Sequence, residues 1–144
     1  MRQRIFMVIV IGFILILPLA AQNDYIIIVN NSIQDETLNQ ANIKNIFLGK
    51  KSRWTDGTKI VPVNLKQGKI HESFIKEMVQ KSTNAYMNYW RKMIFTGKGV
   101  MPISFENEAE VVRYISRTKG AIGYVSSSAQ LEESEQVKVV SLTD

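Results

Sequence analysis

The 144-residue chain contains no cysteine. That excludes a disulfide framework, thiol chemistry and any thiolate metal site. It carries one histidine, His71. A metal there would need clustered carboxylates, and the nearby Glu72 and Glu77 project at different angles from one helix. A nucleophilic triad would need a serine and an acid brought to His71, and no nucleophile-elbow sequence is present. Glu106, Glu108 and Glu110 fall at the start of a helix, where capping and the dipole account for them without catalysis. Gly97-Lys98-Gly99 is too short to be a phosphate loop, and there is no internal repeat. These absences point away from an enzyme and from a resident cofactor or metal.

Long apolar runs are also scarce, with one exception at the start. Arg2 and Arg4 form a positive region, Ile5 to Leu17 an apolar one, and Pro18-Leu19-Ala20-Ala21 a small-residue cleavage zone. The apolar run falls short of the roughly 20 residues that a spanning helix needs. Residues 1–21 therefore read as a signal peptide cut after Ala21, with retention as an anchor the alternative. Residues 22–144 then form one exported domain, in keeping with the lack of cysteine and with a periplasmic location. Losing Arg2 and Arg4 lowers the formal charge from +5 to +3, which together with export argues against nucleic acid. A mildly basic surface suits an anionic solute or an acidic partner. Apolar residues make up 45% of the chain, enough for a packed core.

Asp24 to Asn30 reads as a strand that is apolar without alternation, so both of its faces are buried. A helix is expected from about Leu38 to Leu48, capped by Thr37 or Asn39 and ended by a left-handed Gly49. Lys50, Lys51 and Arg53 follow, where the dipole favours cations, and then a turn at Trp54-Thr55-Asp56-Gly57. Ile60 to Val63 reads as a short buried strand, broken at Asn64–Gly68, with helical spacing from Ile70 to Gln80. Thr83 or Asn84 caps a helix whose stripe of Tyr86, Tyr89, Trp90, Met93 and Ile94 reads as core. Asn107 with Glu110 forms a capping box for a helix over about Glu108 to Arg117. Ala121 to Val125 is a strand whose Gly123 implies a close neighbour. Ser126 to Ser128 caps a one-turn helix through Leu131, and Val137 to Leu142 is the last strand. The order predicts an α/β fold with a mixed sheet of about four strands flanked by helices.

The strand, turn and helix over Ile60–Phe74 place unpaired backbone N–H groups at a turn holding Lys69 and His71, where an α/β sheet binds anions. The candidate ligand-binding residues are Asn64, Gln67, Gly68, Lys69 and His71.

The stretch LNQANIKNIFLGKKSRWTDGTKIVPVN resembles the signature of the phosphate-type substrate-binding proteins of ABC transporters, and NAYMNYWRKMIFTGKGVMP and TKGAIGYV resemble short single-lobe relatives. The resemblance covers nearly all of the chain after Ala21. It implies a single periplasmic-binding-protein-like lobe. Full-length relatives close two lobes on phosphate, holding it by a Gly-Ser-Gly-Thr turn. Gly68 matches the first glycine of that turn, while Lys69, Ile70 and His71 stand where the next three residues would be. The hydroxyl donors and the second lobe are thus missing.

Two functions follow from these observations. One is an exported solute-binding-like protein that takes phosphate or another small anion weakly, in connection with ABC-type transport. The other is a periplasmic interaction or sensor-adaptor module that has lost its ligand. In that case the same face docks an ABC permease, another envelope protein or a second copy as a homodimer. A hydrolase using His71 is a distant third.

Overall fold

The computed structural model describes residues 23–131 and 136–144. The proposed signal peptide and its cleavage point lie outside the described residues. The elements are β1 (Tyr25–Asn30), β2 (Thr37–Asn39), α1 (Gln40–Phe47), β3 (Val61–Leu65), α2 (Lys69–Phe74), α3 (Thr83–Phe95), β4 (Ile103–Phe105), α4 (Glu108–Arg117), β5 (Ala121–Ser126) and β6 (Val137–Thr143). They form one mixed six-stranded sheet in the order β2-β6-β1-β5-β3-β4. β1 pairs antiparallel with β5 and β6, while β3 pairs parallel with β4 and β5 and β2 parallel with β6. β1 therefore runs alone against the other five strands.

The α/β expectation holds, but the sheet has six strands rather than about four. The two unforeseen strands, β2 and β4, are three residues each and lie at the sheet's edges. Three residues cannot display a period of two, so their sequence carries no strand signal. One of them displaces the expected helix start: Leu38 lies in β2, and α1 begins at Gln40, capped by Asn39 accepting from the Asn42 amide at 2.8 Å. Thr37 plays no capping part. The cap of α3 is Ser82, whose Oγ accepts from Ala85 N at 3.1 Å, rather than Thr83 or Asn84. Between Ser126 and Leu131 no helix forms, and Ser127 and Ser128 make a turn instead. The helix expected over Ile70–Gln80 starts at Lys69 and passes from α2 into a π-helical turn, Ile75–Val79, ending at a left-handed Gln80 (φ 59°).

Helices cover both faces of the sheet, which explains the unbroken apolarity of β1 and β5. On one face, Gly123 lets α4 approach: a Cβ there would sit 2.7 Å from Ile115 Cδ1. Asn107 caps α4 as the sequence predicts, its Oδ1 accepting from Glu110 N at 2.9 Å, but no return bond from Asn107 N to the Glu110 carboxylate completes the capping box among the described residues. On the other face Tyr124 stacks on Phe74, with ring centroids 3.7 Å apart, and Phe47 meets both rings edge-on. Tyr86 and Trp90 are buried in the core, as expected of the aromatic stripe, whereas Ile94 at its end faces solvent.

Candidate functional site

The turn after β3 is where the candidate residues meet. Lys66 N extends the pairing with β4 by donating to Phe105 O at 2.9 Å, after which Lys66, Gln67, Gly68 and Lys69 are all exposed. Lys66 Nζ reaches Glu106 Oε1 at 2.6 Å, but both side chains are well exposed, so this pair adds little stability. Gly68 has a φ of 103°, a region that glycine occupies without a steric penalty. It opens α2 with no side-chain cap, and the first amide bonded back into the helix is Glu72 N, donating to Gly68 O at 3.0 Å. The amides of Lys69, Ile70 and His71 thus begin the helix without a side-chain acceptor in front of them.

The structure brings Gln67, Gly68 and Lys69 together on the surface and turns the side chains of Asn64 and His71 inward. Asn64 is buried, and its Nδ2 donates to Tyr86 OH at 3.1 Å. Tyr86 OH in turn donates to Phe47 O at 3.2 Å, an oxygen shared with Trp90 Nε1. His71 is buried with Nδ1 2.5 Å from Tyr124 OH, while that hydroxyl accepts from Leu65 N at 3.2 Å. Asn64 Oδ1 lies farther from the same hydroxyl, at 3.5 Å. The phenol has one proton and two acceptors within reach, His71 Nδ1 and Asn64 Oδ1, so the direction of the His71–Tyr124 bond depends on the imidazole tautomer.

Burial sets the charge states in this network. It pushes Tyr124 well above the ordinary phenol range and Tyr86 up to about 12, so both keep their protons at neutral pH. Burial also lowers the His71 pKa, with the Glu72 carboxylate pulling weakly the other way. The folded pKa is depressed, so the unfolded chain binds a proton at His71 more readily. This contribution to stability is present above about pH 6.5 and is lost as pH falls through the folded value. Urea denaturation across that window should show the loss in the native chain and a smaller one in His71→Gln. Equal slopes would contradict the role of the imidazole.

The two tyrosines were not among the residues expected at the site. Their only sequence signal is generic: a buried tyrosine needs a partner for its hydroxyl. Among the described residues no group of three or more acids or histidines could hold a metal ion.

No family model and no curated protein matches the sequence. Solved structures do match the fold. An ABC-type phosphate transport receptor from Vibrio cholerae superposes with a TM-score of 0.62 at 16% identity, covering 83% of this chain and 46% of that one. A putative phosphate ABC transporter substrate-binding protein with bound phosphate, from Clostridium perfringens, gives 0.59 at 19% identity, covering 83% and 44%. PstS from Borrelia burgdorferi gives 0.61 at 18%, covering 83% and 47%. The chain therefore has the periplasmic-binding-protein-like fold. It spans less than half the length of each of these three proteins, and so corresponds in extent to part of them. At these identities the likeness concerns the fold.

Proposed function

We propose that the chain is an exported solute-binding-like lobe that takes phosphate or another small anion weakly at Gln67–His71, in connection with ABC-type transport. The observation that carries this reading is the uncapped start of α2, with exposed Lys69 as its first residue and Gly68 leaving the approach open. Nothing lies within 4 Å of where a Gly68 Cβ would be. Backbone N–H groups and a lysine ammonium are the donors that a phosphate, sulfate or carboxylate needs. The fold supports the class of activity, because the proteins it resembles include an ABC-type phosphate transport receptor and a putative substrate-binding protein with bound phosphate. Binding is weak because one lobe leaves the anion solvated on its far side, where water competes for each hydrogen bond.

Calorimetry with phosphate, sulfate and small carboxylates tests the reading. A dissociation constant near 1 mM, about −4 kcal/mol, is expected, and Lys69→Glu should weaken it by about tenfold or more. An absence of heat at millimolar ligand would overturn it.

One observation favours protein docking at the same face. The side chains of Asn64 and His71 are engaged in the core, which leaves few side chains to grip a small ion. A permease, another envelope protein or a second copy would then be the partner. Strictly monomeric behaviour and a clean pull-down would dispose of that alternative.

A further inference from the structure

We infer that the end of the lobe opposite Gln67–His71 is a docking surface for an anionic lipid bilayer. β4 runs parallel to β3 with Ile103 beside Val63 and Phe105 beside Leu65, so the segment leading into Ile103 lies at the other end of the strands from the turn after Leu65. In that segment Phe95 and Val100 are 92% and 89% exposed, the most exposed large apolar side chains among the described residues. They flank Thr96-Gly97-Lys98-Gly99, a turn held rigid by Gly97 N donating to Ile94 O at 3.0 Å and Lys98 N to Met93 O at 2.9 Å. The knob is therefore built by the end of α3 and is not a loose loop.

Basic residues stand beside it: Arg91 and Lys92 near the end of α3 and Lys98 in the turn itself. From Thr37 to Thr55 the chain has Lys44, Lys50, Lys51 and Arg53 and no acid; from Met78 to Phe105 it has Lys81, Arg91, Lys92 and Lys98 and no acid. The fold brings the two stretches together over one indole. A Cβ on Gly49 would lie 2.9 Å from Trp90 Cη2, and one on Gly99 3.1 Å from Trp90 Cζ3. Lys50 and Lys98, each next to one of these glycines, thus flank the same ring. The only ion pair between side chains among the described residues is Lys66–Glu106, so none of these cations pairs with a described carboxylate.

Protruding apolar side chains with Lys50, Arg91, Lys92 and Lys98 in the segments beside them match a bilayer, which receives the apolar groups in its interface and offers phosphates to the cations. An acidic protein would satisfy the charges but would need a pocket for each knob. The bilayer accepts both without a preformed shape.

The test uses the full chain with Phe95→Trp, so that a reporter sits at the knob itself and not at the apolar N-terminal segment. With vesicles of phosphatidylcholine and phosphatidylglycerol the new tryptophan should shift to the blue and be quenched by brominated acyl chains. Salt should reverse the shift, and phosphatidylcholine alone should give none. Adding Lys50→Glu and Lys98→Glu should weaken partitioning at least tenfold. Emission unchanged by anionic vesicles would overturn the proposal. So would an equal shift with polyglutamate, which would assign the surface to an acidic protein. Loss of anion binding at Gln67–His71 would leave these readouts unaffected.

Discussion

Gly120→Ala should lower the stability of the lobe by about 3 kcal/mol, a large share of the roughly 5–15 kcal/mol available to a domain. Two effects add. Gly120 has a φ of 82°, where a side chain costs about 1–2 kcal/mol. Its Cβ would also fall 2.1 Å from Lys59 O, a backbone atom that no rotamer change can move. That carbonyl lies just before β3, and the Gly120 carbonyl is itself in use, accepting from Val61 N at 3.0 Å and from Trp54 Nε1 at 2.9 Å. Moving Gly120 away from Lys59 would loosen both bonds and the start of the β3–β5 pairing. Gly57→Ala separates the two effects, because its φ is 86° but nothing lies within 4 Å of its Cβ position. It should cost about 1–2 kcal/mol, the conformational part alone. Equal losses in the two variants, read by urea denaturation, would show that the clash relaxes.

Tyr124→Phe should cost about 2–4 kcal/mol, although the ring and its stacking on Phe74 are kept. The hydroxyl is the partner of His71 Nδ1 at 2.5 Å and of the Leu65 amide at 3.2 Å, and all three groups are buried. Removing it strands the Leu65 amide and His71 Nδ1, each worth about 1–3 kcal/mol when left unpaired. Tyr89→Phe is the comparison: its hydroxyl donates to Leu48 O at 2.6 Å in a partly exposed position, where water can replace it. A cost of about 1 kcal/mol or less is expected there. The Tyr124 variant should also leave His71 Nδ1 without its hydrogen-bond partner. Nitrogen chemical shifts of His71 would show this, and unchanged shifts would refute the contact.

Much of this arrangement is legible in the sequence where one residue type has one solution. Gly49 ends α1 with a φ of 71°, Asn107 caps α4, and Gly123 admits Ile115 and Val111 of α4, each as the sequence predicts. Where several residues could do the same task, the sequence cannot choose. Ser82, Thr83 and Asn84 stand in a row, and only the exit of the chain from the π-helical turn selects Ser82 as the cap. The short edge strands β2 and β4 exist because β6 and β3 offer unpaired edges, a tertiary cause with no local signature.

For the candidate site, the location of the turn was legible and the direction of its side chains was not. Val63, Asn64 and Leu65 are all buried, because helices cover both sides of β3 and no alternation marks which way Asn64 points. His71 sits one turn into α2, where a polar residue would ordinarily face water. It is turned inward by a hydroxyl from β5, 53 positions away in the chain. The candidate turn therefore offers mostly backbone, with Lys69 as an exposed cation at the start of α2.

The most direct measurement is a titration of the isotope-labelled chain with inorganic phosphate, followed through its backbone amides. The account predicts saturating shifts confined to Gly68, Lys69, Ile70 and His71, reduced in Lys69→Glu. Unmoved amides at this turn under millimolar phosphate, or saturating shifts elsewhere on the lobe, would contradict it.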